Sequence, residues 1–208
     1  MTLADPIEDS GKRARVKAAN RQSILDAARS VFAELGYEGA TVRDIIRRTN
    51  LASGTFYNYF KSKEEVFQAL TADSIGRFRP VLAHVRQSST SFEDYIRGAY
   101  NAYFAFVADE SRRGLSPGAD GHSLISEIRV DPPEMKAVFE EIRTDIERAL
   151  AEQGRSGLDA EYLTAAAIGI ARELATHMLA RQPIDVDDAG RFAADIFLNG
   201  VCSSGECG

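Results

Sequence analysis

Cysteine is nearly missing from this chain: it occurs twice, as Cys202 and Cys207, both in the closing stretch CSSGECG. Two cysteines cannot form a disulfide framework, and with no histidine beside them they offer neither a metal site nor a redox centre. Histidine is scarcer than a catalytic or zinc chemistry needs: His84, His122 and His177 stand far apart. No apolar run approaches the roughly 20 residues of a membrane-spanning helix. The first ten residues hold three acids and no base, the opposite of the basic start of a secretory signal. These absences predict a cytoplasmic protein without cofactor, metal or membrane attachment.

The motifs of common enzymes are also absent. There is no Gly-x-Ser-x-Gly elbow, no phosphate loop, no His-Glu-x-x-His and no Glu-x-x-His pair of a di-iron bundle. The stretch GLSPGADG is rich in glycine, but its spacing fits neither the phosphate loop nor the dinucleotide fingerprint. The sequence therefore points away from an enzyme and toward a binding protein.

What is present is an uneven distribution of charge. The net charge of −6 conceals eleven Lys/Arg against four Asp/Glu between residues 12 and 63, a net of +7; residues 1–11 carry −3 and residues 64–208 carry −10. A basic block beside an acidic one predicts that only the first part meets a polyanion.

Strand-like alternation is missing, and the apolar spacing is helical almost throughout, which predicts an all-α chain of about nine helices. The first, over 15–35, carries Ile24, Ala28, Val31 and Leu35 on one stripe, flanked by Leu25 and Phe32, and Gly36 stops it. Thr41 caps a second helix to about residue 49. A short third follows over 53–59. Ser62-Lys63-Glu64-Glu65 has the form of a capping box and opens a fourth, which Pro80 is expected to kink or interrupt. Ser91 caps a fifth. The loop 111–121 leads to a short sixth helix over 122–129, and Asp131-Pro132-Pro133-Glu134 starts a seventh, which ends at Gly154 to Gly157. Asp159 and Asp185 cap the last two, over 160–181 and 186–201. The expected domains are 12–62 and 63–201, with flexible tails at 1–11 and 202–208.

The stretch TVRDIIRRTNLASGTFYNYFKSK, residues 41–63, has the parts of a helix-turn-helix. Val42, Ile45 and Ile46 can bury one face of its first helix. Asn50 is the best non-glycine choice for a left-handed turn, and Leu51 plugs the corner. Phe56 and Phe60, four apart, point inward, leaving Ser53, Thr55, Tyr57, Asn58 and Tyr59 outward with no acid among them. Short hydroxyls and phenols can bond base edges or phosphates without repelling the backbone.

With these features, residues 21–67 resemble the DNA-binding domain of the TetR family of bacterial regulators. The resemblance rests on ILDAARSVFAELGYEGATVRDI and, after the turn, on SGTFYNYFKSKEEVF. It implies that Thr41 and Arg43 touch the DNA backbone or nearby bases, that Ser53 and Thr55 lie closest to base edges, and that Tyr57, Tyr59 and Lys63 reach phosphates, with Asn58 serving either. Two departures stand out: Asn50 replaces the usual Gly of the turn, and Ala52 stands where Ser often caps the second helix. If Ser53 takes over that cap, it is lost to base reading.

The resemblance further implies a C-terminal helical domain that dimerises and encloses a small-molecule pocket. Ala165, Gly169 and Ala171, with Phe192, Ile196, Phe197 and Leu198, suggest a homodimer through the last two helices. Candidate pocket residues are Tyr100, Tyr103 and Phe104, then Phe139 and Ile142, and the polar set Arg172, Glu173 and His177. His122, beside the Gly-rich loop, is a candidate gate. The expected function is a ligand-responsive transcriptional regulator, a repressor that leaves a palindromic operator in double-stranded DNA when an apolar effector with a polar group binds. The rival is an all-helical protein-binding adaptor, which would show no salt-dependent DNA binding.

Overall fold

A short polar side chain stands ahead of most helices, and in the computed structural model of this chain those side chains act as caps. Thr41, Ser91, Asp159 and Asp185 each accept a backbone N–H from the first turn that follows. The structure describes residues 6–112, 133–154 and 157–203. Among them lie eight helices and no strand: α1 (Pro6–Gly39), α2 (Val42–Arg48), α3 (Ser53–Tyr57), α4 (Lys63–Ser88), α5 (Phe92–Glu110), α6 (Pro133–Glu152), α7 (Ala160–Leu179) and α8 (Val186–Ser203). The helix expected over 122–129 lies outside the described residues. No helix among them is long and apolar enough to cross a membrane.

The chain divides into two compact units, residues 1–70 and 71–208. The division falls inside α4 rather than at residue 62, because the first turns of that helix complete the core of the first unit. Val66, Phe67 and Leu70 are buried with Ile24, Leu25, Ala28, Val31, Phe32, Ile45, Phe56 and Phe60. Phe32, Tyr37 and Phe67 meet pairwise at ring-centroid distances of 5.6, 5.9 and 5.0 Å. Leu35, expected on the core stripe of α1, is instead 51 % exposed. It immediately precedes Gly36, whose φ of 69° breaks the helical path before one last turn to Gly39. The start of α1 also differs from expectation: the helix begins at Pro6 and not near residue 15.

The second unit is built around α5, which lies against α7 and α8, while α7 also lies against α6. Its core gathers Leu82, Ile96, Tyr100, Phe104, Val107, Val138, Ile146, Ala167, Met178 and Phe197. Gly190 lets α8 approach closely: a Cβ there would sit 1.7 Å from Asn101 Oδ1 and 3.3 Å from Asn101 Cα. Moving the amide aside relieves only the first contact. Gly190→Ala is therefore expected to destabilise by about 1–3 kcal/mol, and Asn101→Ala in the same chain to restore part of that loss. Urea unfolding of the single and double variants measures both.

Pro80 does not interrupt α4, which runs through it to Ser88. The residue whose carbonyl loses its donor is Gly76, exposed and with open space around it, so water can take that bond. Polar groups tie α4 to α6. Arg86 Nε donates to Asp145 Oδ2 at 2.6 Å, and Arg79 Nε donates to Glu141 Oε1 at 2.7 Å.

Candidate nucleic-acid interface and effector cavity

In the first unit, α2 is fixed at its start by a reciprocal pair. The Asp44 N–H donates to Thr41 Oγ1 at 3.3 Å, and the Thr41 N–H donates to Asp44 Oδ2 at 3.1 Å. The Thr41 hydroxyl, chiefly, with burial opposing it, holds the Asp44 carboxyl below its ordinary range. Thr41 is thus engaged in a cap while remaining exposed, and Arg43 and Arg47 are exposed on the same short helix. Arg48 turns away to a two-pronged pair with Glu34, one arm at 2.8 Å.

The turn after α2 is not made by Asn50. No described residue other than glycine has a positive φ. Thr49 makes the turn instead: extended at φ −97° and ψ 160°, it donates its hydroxyl to Ile46 O at 2.8 Å and accepts the Leu51 N–H at 3.2 Å. A threonine side chain that satisfies both backbone groups removes the need for a left-handed residue. The turn therefore needs neither a glycine nor a left-handed asparagine.

Helix α3 has five residues, and Ala52 precedes it with no side-chain cap. Ser53 is its first helical residue, so its hydroxyl does not replace the missing cap, and it is exposed together with Gly54. Thr55 and Tyr59 are half-buried, Asn58 is exposed, and Tyr57 is 57 % exposed. Phe56 and Phe60 are buried as expected, and the Tyr57 ring stands edge-on to Phe56 at 5.4 Å. The core phenylalanines thereby hold a protruding phenol at a set angle, beside an outer face with no carboxylate on it.

Lys63 has a different environment from the one expected of a phosphate contact. Its ammonium donates to Tyr37 O at 2.9 Å, Ala40 O at 3.1 Å and Glu38 O at 3.4 Å, and lies 4.6 Å from the Tyr37 ring centre. An ammonium has three donors, and three carbonyls at the end of α1 occupy them. Lys63 is a staple of the unit. The exposed cation next to it is Lys61, whose N–H donates to Glu65 Oε2 at 2.8 Å while the Glu65 N–H donates to Ser62 Oγ at 3.3 Å. The capping box ahead of α4 therefore closes on Lys61 rather than on Ser62. Tyr37 completes this corner by donating to Glu64 Oε1 at 3.3 Å, and burial, with Glu64 beside it, pushes the phenol up to about 12.

The second unit contains an apolar cavity. Of the expected pocket residues, Tyr100, Tyr103, Ile142 and Arg172 line it. Phe104 is fully buried in the core behind it, and Phe139 is half-buried and not part of the lining. Glu173 and His177 do pair, at 3.3 Å, but on the surface, with side chains 77 % and 65 % exposed. Their spacing of four gave the contact; the rotation of α7 put it on the side away from the cavity. His122 lies outside the described residues. Tyr95 and Ser74, not singled out from the sequence, also line the cavity. The Tyr95 hydroxyl is buried beside Asp145 and Arg86, and burial, chiefly, with Asp145 adding to it, pushes its pKa upward. No local pattern marks these two residues, since the cavity forms only when α4, α5, α6 and α7 meet.

Comparison with known proteins bears on both units. Residues 24–70 match the family of bacterial regulatory proteins called the tetR family. The transcriptional repressor KstR2 of Rhodococcus jostii (strain RHA1) is 28 % identical over 151 residues, which cover 70 % of this chain and 72 % of that protein. The transcriptional repressor AcnR of Corynebacterium glutamicum is 42 % identical, but over 64 residues, covering 31 % of this chain and 34 % of AcnR. The transcriptional regulator FadR of Bacillus subtilis, solved in complex with stearoyl-CoA, shares the fold at a TM-score of 0.71 and 19 % identity, over 86 % of this chain and 98 % of FadR. The similarity to the tetR family of bacterial regulatory proteins is thus confined in sequence to residues 24–70, while the likeness of fold extends over most of the chain.

Proposed function

We propose that this protein is a cytoplasmic transcriptional repressor that leaves a palindromic operator in double-stranded DNA when a small apolar effector binds its second unit. The observation that supports the reading is the exposure of hydroxyl, amide and cationic groups along α2 and α3: Thr41, Arg43, Ser53, Tyr57, Asn58 and, further on, Lys61 are exposed, Thr55 and Tyr59 are half-buried, and Phe56 and Phe60 are buried beneath them. Such groups suit phosphates and base edges. Lys63 contributes by holding the frame. The apolar cavity supports an effector, as does the acyl thioester bound to FadR. A ligand shifts the operator equilibrium only by its differential affinity for the two states.

A homodimer follows from the reading of the operator, because two copies of α3 would meet successive major grooves about 34–36 Å apart. The surface of α7 and α8 supports it. Tyr162, Phe192 and Ile196 are 77 %, 54 % and 47 % exposed, and Ala165, Ala166 and Gly169 leave room beside them. Phe197 is buried in the unit's own core, and Leu198 packs half-buried against it. Phe192→Glu is expected to give a monomer in sedimentation analysis, and an unchanged dimer would move the interface elsewhere.

The test of the main reading is fluorescence anisotropy on the DNA flanking the protein's own gene, with an unrelated duplex as competitor. Tight binding is expected, with log K falling by about 0.9 per neutralised phosphate for each unit of log salt. Tyr57→Ala should weaken it at least tenfold. Lys61→Ala should lower the salt slope by roughly one contact and leave sequence preference intact. Binding that competitor abolishes, followed by a random-sequence selection that enriches nothing, would remove the DNA-binding reading.

A further inference from the structure

We propose that α1 between Gly11 and Gln22 is a basic arm that grips the backbone of double-stranded DNA, as a second contact surface besides α2 and α3. The inference rests on the DNA-binding reading and deepens it. From Ser10 to Leu25 the chain has five cations, Lys12, Arg13, Arg15, Lys17 and Arg21, and no acid. The stretch is helical, because α1 begins at Pro6. Yet from Gly11 to Gln22 no residue is buried, and only Asn20 is even half-buried. The core residues of α1 begin at Ile24. About 18 Å of helix therefore presents no face to the core of its own unit.

Ala14, Ala18 and Ala19 favour the helix, and the packed turns beyond Ile24 spare it a nucleation step. Lys17 and Arg21, like charges four apart, work against it, and an anionic partner would reverse that. Lys12, Arg15 and Lys17 are exposed, and no ion pair among the described residues engages them; Arg13 has a partner of its own. The next acid along the chain, Asp26, already accepts from Gln22 Nε2 at 2.9 Å and from Arg29 at 2.6 Å. Arg21 ties the arm to the frame of α3: its guanidinium lies 5.5 Å from the centre of the Phe60 ring, which is buried just beyond that helix. These charges call for a polyanion. A membrane surface would also require an apolar face of large side chains, and here the one large apolar residue is Val16, 53 % exposed. A duplex makes no such demand. Its phosphates take lysine and arginine whatever the base sequence, and the exposed alanines let them come close.

The experiment is fluorescence anisotropy of the full-length protein over a salt series, on a duplex enriched by random-sequence selection and on an unrelated duplex. The variant joins Lys12→Ala, Arg15→Ala and Lys17→Ala, substitutions that favour the helix and touch no core residue; circular dichroism checks that helical content is kept. Its salt slope is expected to fall by about 2–3 on both duplexes, near 0.9 for each lost phosphate, with affinity down roughly tenfold or more at the same salt. The ratio of the two affinities should not change, since the arm reads no bases. Tyr57→Ala should do the reverse, losing the preference for the selected duplex and keeping the arm's share of the slope. Lys136→Ala with Arg181→Ala removes exposed cations of the second unit and should leave the slope as it is. A wild-type slope in the triple variant, or an equal fall per charge removed in the Lys136 and Arg181 control, overturns the arm. A preference still lost in Tyr57→Ala would then leave the DNA-binding reading standing. No binding of either duplex by the wild type at low salt would remove both. An unchanged slope together with lost cosedimentation on phosphatidylglycerol vesicles would overturn the proposal in favour of a membrane surface.

Discussion

Arg86→Met is expected to destabilise the second unit by about 3 kcal/mol, the cost of taking the partner from a buried charge. Asp145 is only 7 % exposed, and its Oδ2 takes the Arg86 Nε at 2.6 Å. The remaining cation is Arg148, which reaches the other oxygen at 3.4 Å from a side chain 58 % exposed and cannot compensate a desolvated carboxylate from the solvent side. Methionine fills much of the vacated volume, so the loss reports the charge more than the packing. Asp145→Asn should cost less, since a buried amide is cheaper than a buried carboxylate and Arg86 can still face Glu141, now at 3.8 Å. Urea unfolding followed by circular dichroism gives both values. A loss below about 0.5 kcal/mol for Arg86→Met would mean that the pair is as screened as an ordinary surface bridge. Because α4 and α6 both supply walls of the cavity, through Leu82, Val138 and Ile142, effector affinity should fall along with stability.

The second large effect is at Lys63. Lys63→Ala removes three donors from the carbonyls of Tyr37, Glu38 and Ala40. A hydrogen bond to a charged group contributes about 1.5–3 kcal/mol; with Lys63 partly open to solvent, the three together are expected to total about 2–3 kcal/mol. Operator affinity should fall with the folded fraction of the first unit, and low temperature or stabilising osmolyte should recover it. Lys61→Ala should behave in the opposite way, with thermal stability kept and salt dependence reduced. If Lys63→Ala instead lowered the salt slope at full stability, its ammonium would be a phosphate contact after all. Arg in place of Lys63 should not restore stability, because a planar fork cannot aim at three carbonyls around one point.

These two residues show what the sequence could disclose. Features fixed by near neighbours were legible: the caps at Thr41, Ser91, Asp159 and Asp185, and the burial of Phe56 and Phe60 four apart. Helix propensity and spacing carry such facts without reference to the rest of the chain. The role of Lys63 was not legible, because its acceptors come from 23 to 26 residues earlier and only the fold brings them together. Glu173 and His177 illustrate the intermediate case. Their contact is a property of one helix, but the direction in which it faces depends on which side of α7 the neighbouring helices cover. Asn50 misled for a different reason: its tolerance of a left-handed backbone is real, but Thr49 solves the same turn with a side chain, and composition does not rank the two solutions.

The engagement of Lys63 also makes the protein a natural chemical reporter. Two amines stand two residues apart: one exposed at Lys61, the other surrounded by carbonyl oxygens at Lys63. An acylating reagent should mark the exposed Lys61 readily and Lys63 much faster in molecules whose first unit has opened than in closed ones. The ratio of the two adducts in a single peptide, read by mass spectrometry, would therefore count opened heads directly, in a cell extract as readily as in buffer.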